Sequence, residues 1–404
     1  FEEFFDPLAR FNVRNSIAAG SLQWQCTWNR KIYSKLSLLR SGMNFKQDIT
    51  GSLQLLSNST YSLREDISIY PTSKSKLKTG CELNYKDDQW QMSSFYKATD
   101  IDTGDSSKLM QNEYFKKKNP YGAVYFFYEG SPLPRLFFNL GGRLDYNCLN
   151  RKYDISPRLA LTYPVGAKII LSGNCGYFYQ APNTNQIVQN YHLKSSKLTQ
   201  YVLSFKTKIS QQIIAKVEGY YKNYRNVIVF DTLFRYNNSG YGYAKGLEFS
   251  VFKELGVLTG WASYAYSFAN RKRNMQDRIY PAYNDQRHVL NFQFNIRIQD
   301  YSSKRIPFFP DFLSIQFKYA SGYPYTPATG TYFTGTKYQL LLGDVNSKRN
   351  QGYNNLNAKI EWNQKLGKRR RNEIKYYLDF WNILGSKNSL SREYFVDDQG
   401  QLDV

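Results

Sequence analysis

His288-Val289-Leu290-Asn291-Phe292-Gln293-Phe294-Asn295-Ile296-Arg297-Ile298 decides how this chain folds. From Leu290 to Ile298 every even position is apolar, and the odd positions between them hold Asn, Gln, Asn and Arg. Successive side chains of an extended strand leave on opposite faces, so this spacing makes one greasy face and one wet face. A helix would need a period near 3.6, which the stretch lacks. The same alternation recurs in 199–209, where Tyr201, Leu203, Phe205 and Ile209 interleave with Gln200, Ser204, Lys206 and Lys208. In 312–319 Leu313, Ile315, Phe317 and Tyr319 interleave with Ser314, Gln316 and Lys318. In 356–363 Leu356, Ala358, Ile360 and Trp362 interleave with Asn357, Lys359, Glu361 and Asn363.

A soluble β-sandwich also alternates, but its apolar face meets a second sheet. Here the strand candidates are long and Tyr-rich, and they run through the whole chain with no convincing amphipathic helix between them. Closing them on themselves leaves no exposed edge, as a hydrocarbon phase demands. The expected fold class is all-β: one large antiparallel transmembrane β-barrel of about 18–22 strands, occupying residues 1–404 and incomplete at both ends.

Composition narrows the alternatives. Aromatic residues are 17% of the chain, with 36 Tyr and 27 Phe, where soluble cores favour Leu, Ile and Val. Aromatic girdles at two membrane interfaces would account for the excess, and so would a Tyr-rich sandwich. No run approaches the roughly 20 apolar residues of a membrane-spanning helix; Val227-Ile228-Val229-Phe230 is typical of the longest. Mean hydropathy is −0.58. Lys and Arg number 54 against 32 Asp and Glu, a formal charge of +22. That excess can signal nucleic acid. Here the cations are spread along alternating strands and no nucleic-acid module is present, so lipopolysaccharide or an anion-passing lumen is the expected counterpart.

Two kinds of connection are legible. Tyr163-Pro164-Val165-Gly166 and Lys253-Glu254-Leu255-Gly256 are tight turns. Segments 98–119, 269–287 and 321–352 read as long polar loops. Such asymmetry is that of outer-membrane barrels, with the long loops outside the cell. Lys368-Arg369-Arg370-Arg371 then falls on the other side, as a solvated turn.

Several passages in order resemble the barrel of TonB-dependent outer-membrane receptors. Ser156-Pro157-Arg158-Leu159 with Leu161-Thr162-Tyr163 is similar to the family's SPRL passage. Gly176-Tyr177-Phe178-Tyr179-Gln180-Ala181-Pro182 follows, then Leu193-Lys194-Ser195-Ser196-Lys197 with Gln200-Tyr201, where the family's Pro and Glu are replaced. Glu218-Gly219-Tyr220-Tyr221-Lys222 resembles the next strand. Asn238-Ser239-Gly240 with Lys245-Gly246-Leu247-Glu248 resembles a hairpin, and Asp285-Gln286-Arg287-His288 the start of a strand. Ser321-Gly322-Tyr323-Pro324-Tyr325-Thr326-Pro327 and Tyr377-Leu378-Asp379-Phe380-Trp381-Asn382 complete the series, which covers about 135–390. The resemblance implies an outer-membrane importer of an iron chelate, a cobalamin or an oligosaccharide. It also implies a TonB-type energy-coupling partner, reached through a plug domain. Neither the coupling box nor the plug is visible in the sequence, so a passive pore or structural barrel is the alternative.

Pro157 and Pro182 are expected at strand boundaries, where a missing N–H does no harm. Gly246 is expected just before a strand, at a bulge or tight hairpin.

No nucleophile elbow, zinc-binding helix or phosphate loop occurs, so an enzyme is not expected. Asp87-Asp88 and Asp397-Asp398 are neighbours on opposite strand faces, which does not build an acid–base dyad. Asp100-Ile101-Asp102-Thr103-Gly104-Asp105 lacks the closing Glu of a calcium loop and reads as solvated. His192 and His288 are the two histidines, and Cys26, Cys81, Cys148 and Cys175 form no C-x-x-C pair and read as small side chains on strands. No metal or cofactor is expected. The candidate solute-binding residues are the loop cations Arg271, Lys272 and Arg273 and the loop aromatics Tyr323 and Tyr325. Cations can hold an anionic chelate, and tyrosine rings can stack on sugars or catechols.

Overall fold

The alternating stretches form long strands, and each pairs with the next along the chain. The computed structural model describes residues 11–49, 52–99, 106–230, 236–272, 278–299, 309–335, 338–366, 372–388, 394–397 and 399–403. β1 (Phe11–Asn29), β2 (Ile32–Ile49), β3 (Ser52–Thr72), β4 (Ser75–Thr99) and β5 (Ser106–Leu133) come first. β6 (Leu136–Asn147), β7 (Lys152–Val165) and β8 (Ile169–Gln180) precede a short helix, α1 (Thr184–Gln189). β9 (Ser196–Lys208), β10 (Ile213–Phe230), β11 (Tyr236–Lys253) and β12 (Leu258–Lys272) follow. Next come the two-residue β13 (Tyr280–Pro281), β14 (His288–Arg297) and β15 (Phe312–Ala320). The next connection holds β16 (Pro324–Tyr325), β17 (Ala328–Phe333), β18 (Tyr338–Leu342) and β19 (Lys348–Arg349). β20 (Tyr353–Leu366), β21 (Asn372–Phe380), β22 (Phe395–Val396) and β23 (Leu402–Asp403) end the series.

Among the described residues the main sheet has 17 strands, all pairings antiparallel, running as a meander from β1 to β21. That is fewer than the count expected from periodicity. Within 321–352, read as a loop, β17 and β18 are six and five residues long and form a separate hairpin, too short to span. A membrane-spanning strand needs about 9–11 residues. No helix among the described residues is long and apolar enough to cross a membrane.

Register separates the two faces. Leu290 lies opposite Tyr264 and Tyr319, and Phe292 opposite Ala262 and Phe317. Leu203 lies between Gly173 and Gly219, and Phe205 between Leu171 and Val217. The apolar sets of neighbouring strands therefore join into one continuous surface. On β7 that surface shows Tyr153, Ile155, Leu161 and Tyr163, exposed by 69, 57, 41 and 45%. Tyr153 and Tyr163 are separated by about 34 Å of strand at about 3.4 Å per residue. At a tilt of about 45° that is about 24 Å of height, close to the apolar band of a membrane barrel, about 25 Å. The opposite face is polar. Asn291, Gln293 and Asn295 lie there on β14, and Ser156, Asn84 and Tyr125 are buried there.

Two glycines make room for rings on the polar face. A Cβ on Gly80 would stand 2.3 Å from the Tyr125 hydroxyl, and one on Gly141 would stand 2.4 Å from the Phe127 ring. The ring lies across the glycine of the next strand, which is how curved sheets accommodate their bends. Gly80→Val should therefore lower stability by about 1–3 kcal/mol through overpacking, seen as a lower urea midpoint for the membrane-embedded protein. An unchanged midpoint would show that Tyr125 is free to move aside.

Several local expectations are corrected. Residues 106–119 are not a loop: β4 and β5 pair in register out to Thr99 and Ser106, with Lys117 opposite Asp88 and Lys118 opposite Asp87. Opposite charges across an antiparallel pair favour continued pairing over a free loop. Residues 100–105, the acidic run, lie outside the described residues. Pro157 sits inside β7, not at its end. β8 pairs with β7 only from Arg158 onward, so Pro157 stands at the end of that ladder. Pro182 does follow a strand, β8. Gly246 is in mid-strand, where a Cβ would meet the Tyr266 carbonyl at 2.8 Å and the Tyr220 hydroxyl at 2.9 Å. Asn238 to Glu248 likewise form one strand, not a hairpin. Cys148 lies in the turn after β6 rather than on a strand, and all four cysteines are unbridged.

The connections fall on two ends. Turns at 30–31, 73–74, 134–135, 166–168, 209–212 and 254–257 close one end. The Leu366–Asn372 pairing also ends there, and 367–371, expected as a solvated turn, lie outside the described residues. β14 and β15 also meet at that end through Arg297 opposite Phe312. The opposite end carries 181–195, the segment between β12 and β14, and 321–352.

Candidate functional site

The long-loop end is built by buried polar contacts that tie separate connections together. Asp285 is at their centre, with a side chain only 1% exposed. It accepts the Ala269 N–H at 2.6 Å and Arg287 Nε at 3.0 Å, and it pairs with Arg349 Nη2. Arg349 Nη1 also donates to the Asp285 carbonyl at 2.6 Å and to the Gly322 carbonyl at 3.1 Å. Asn346 donates to the Pro281 carbonyl at 2.8 Å, and Gln286 to the Ser321 carbonyl at 3.1 Å. The connection after β12 and the connection after β15 are thereby one assembly. Gly322 lets the chains approach, since a Cβ there would stand 1.9 Å from the Asn350 carbonyl oxygen.

A second assembly seats 181–195 against the polar face. Asn183 caps α1 by accepting the Gln186 N–H at 2.9 Å, while the Gln186 side chain accepts the Asn183 N–H at 3.0 Å. This reciprocal pair satisfies two helix-end donors. Thr184 donates to Asp88, Asn150 donates to the Leu193 carbonyl at 3.2 Å, and Ser195 donates to Asp154 at 2.5 Å. Ile187 and Leu193 are fully buried beneath the loop.

The sequence candidates divide. Arg271 and Lys272 both line a cleft of about 530 Å³, together with Tyr224, Tyr241, Tyr243 and Asn284. The Arg271 guanidinium lies 5.9 Å from the Tyr280 ring centre and 5.8 Å from that of Tyr283. Lys272 Nζ lies 5.9 Å from the Tyr241 ring centre. Tyr323 and Tyr325 are not in the cleft. They lie in the assembly held by Arg349, where the Tyr323 carbonyl accepts the Asn350 N–H at 2.9 Å and Tyr325 pairs with Lys348. Arg273 lies outside the described residues.

Sequence reasoning did not single out the polar wall below this end. Asp66 meets Arg64 Nε at 2.9 Å, Lys78 Nζ at 3.8 Å and the Tyr125 hydroxyl. Arg143 bridges Glu82 at 3.1 Å and Asp145 at 2.9 Å. Arg158 stacks 4.6 Å from the Phe178 ring centre. All occupy the polar phase of β3 to β8, a signal readable only once register aligns the strands. Among the described residues no group of three or more His, Cys, Asp or Glu could hold a metal ion. The arrangement offers cations and ring faces at a mouth, above a wall of compensated charge.

Comparison with known proteins adds to this. A family model described as "TonB dependent receptor-like, beta-barrel" matches residues 6–379. No curated protein matches the sequence. Among solved structures, the outer membrane transporter YddB from Escherichia coli is similar, with a TM-score of 0.58 at 10% identity. The ferric preacinetobactin receptor BauA from Acinetobacter baumannii gives 0.64 at 10%, and the ferric citrate transporter FecA gives 0.66 at 14%. These alignments cover 93, 94 and 94% of this chain and 65, 60 and 58% of those chains, in the same order. The chain thus spans about three fifths of the length of the structures it resembles. At such identity the likeness is one of fold.

Proposed function

This chain belongs to the TonB-dependent receptor β-barrel family of the bacterial outer membrane, and from that premise we propose that it takes up a scarce solute by TonB-type energy coupling. The proposed domain is one barrel wall over residues 1–404, with coupling passing through a plug. The solute is an iron chelate, a cobalamin or an oligosaccharide. An anionic chelate is favoured by the Arg271 guanidinium, which register places with Tyr224 on the interior phase, while Lys272 and Tyr241 stand on the other face of the same cleft. Guanidinium and ammonium groups supply charge-assisted hydrogen bonds, and ring faces stack on planar ligand groups. The observation that carries the reading is the segregation of faces, with Arg64, Glu82, Arg143 and Asp145 on one side and Leu203, Phe205 and Leu290 on the other. A lipid-facing exterior and a charged interior are what a conduit for a hydrophilic solute requires.

Growth of a deletion strain on single iron, cobalamin and glycan sources tests this. Loss of growth on one source alone, with the same loss in a strain lacking the coupling complex, is expected. Uptake that survives without the complex would make the barrel a passive pore. Arg271→Ala with Lys272→Ala should weaken binding of the identified solute about tenfold or more, about 1.4 kcal/mol. Unchanged binding would remove the cleft from the pathway.

A further inference from the structure

Several cations of the interior wall are matched by carboxylates. Arg64 and Lys78 meet Asp66, Arg143 meets Glu82 and Asp145, and Lys216 meets Glu218. Arg158 differs. It stands two residues along β7 from Ser156, which faces Arg143, yet it meets rings instead of a carboxylate. Its guanidinium carbon lies 4.6 Å from the Phe178 ring centre and 5.9 Å from that of Phe127. Its Nε is buried and has no hydrogen-bond partner among the described residues. A buried donor left without an acceptor is rare and costly in a folded protein. A ring contact engages the π face of the guanidinium and uses none of its N–H groups.

Register explains how the side chain is held. Arg158 lies between Gly141 of β6 and Gly176 of β8. A Cβ on Gly141 would stand 2.4 Å from the Phe127 ring, and one on Gly176 would stand 3.1 Å from Arg158 Cγ. One glycine thus seats the Phe127 ring, and the other seats the stem of Arg158. Phe178 follows two residues after Gly176, on the same face of β8. Two phenylalanine rings on the polar side of the wall have the cation as their reason.

The height of this group is also defined. Tyr153 and Tyr163 bound the apolar band on β7, and Arg158 is midway between them in the strand. It faces away from Ile155 and Leu161, so it stands in the lumen about halfway across the membrane.

We propose that Arg158, Phe127 and Phe178 form a luminal seat for a carboxylate carried on a flat ring. The carboxylate accepts two N–H groups of the guanidinium fork, and the ring of the ligand lies offset or edge-on against the phenylalanines. Inorganic phosphate fits less well, because it has no face to offer the rings. Given uptake of an anionic chelate, on which this step rests, the seat receives the solute's carboxylate after it leaves Arg271 at the mouth.

The test uses the full chain in non-ionic detergent, with 4-fluorobenzoate as the probe and broadening of its fluorine NMR signal as the readout. The Kd of 4-fluorobenzoate should be at least about tenfold below that of 4-fluorobenzamide, which keeps the ring and lacks the charge. Arg158→Ala should abolish that difference. Arg158→Lys, which keeps the charge without the fork, should weaken binding about fivefold, and Phe178→Leu about threefold. Arg271→Ala with Lys272→Ala should leave the probe bound as before, which separates this seat from the cleft at the mouth. Heat-modifiable migration on gels shows that each variant is folded. A parent chain that does not bind the probe, or probe binding that survives in folded Arg158→Ala, overturns the proposal. Uptake that proves independent of energy coupling would leave probe binding in place, so the two readings fail separately.

Discussion

Asp285→Ala frees the loops at the outer end while leaving the barrel wall intact. The carboxylate is the shared partner of Arg287, Arg349 and the Ala269 N–H. Breaking a buried ion pair by removing one member costs about 3–5 kcal/mol. Both guanidiniums keep some water contact, at 30 and 28% exposure, so the lower end of that range applies. The loss is local, because the strand ladders of β12, β14 and β15 do not depend on the carboxylate. Limited proteolysis should therefore cut within 280–287 and 321–352, with heat-modifiable migration unchanged. Asp285→Asn, which still offers an acceptor to Ala269, should be cut more slowly. Loops that stay resistant in Asp285→Ala would show that the remaining contacts, such as Asn346 to the Pro281 carbonyl, suffice.

Two adjacent substitutions on β9 separate the faces more sharply. Leu203 lies on the apolar side between Gly173 and Gly219, level with Leu161 inside the apolar band, while Ser204 lies on the polar side between Ser172 and Glu218. Arginine on the lipid side of a barrel strand costs about 2–4 kcal/mol at the bilayer midplane. On the lumen side it meets water and the Glu218 carboxylate, and the change should stay within about 0.5 kcal/mol. Leu203→Arg should thus lower the urea midpoint of protein in vesicles and reduce its yield in the outer membrane. Ser204→Arg should leave both near their starting values. Equal damage from the two would mean that the faces are assigned wrongly.

How far the sequence can be read is clear from particular stretches. Residues 290–297 show their strand outright, because each polar residue there faces the interior and each apolar one the exterior, with nothing else competing for the pattern. The hairpin of β4 and β5 is harder. Lys116, Lys117 and Lys118 look like a solvated run until register sets Lys117 against Asp88 and Lys118 against Asp87. Gly246 looks like a turn residue, and its reason is a ring on another strand, Tyr220. The loop assembly is harder still. Asp285 stands out in its motif, yet its partner Arg349 lies 64 positions away in a segment without periodicity. Arg271 and Lys272 were visible as loop cations, but their cleft is made by Tyr224 and Tyr241 from other strands. Contacts that bridge separate hairpins leave no local trace.

The β4–β5 hairpin has a consequence for how the cell meets its surroundings. Beyond the level of Tyr85 and Pro120 its two strands stay paired as far as Thr99 and Ser106. That is about 48 Å of ribbon at about 3.4 Å per residue. A paired ribbon of this length can carry protein surface away from the level of the Tyr61 and Tyr85 rings. Such a ribbon offers an antibody, a phage tail fibre or a host protease a protein surface apart from the barrel wall.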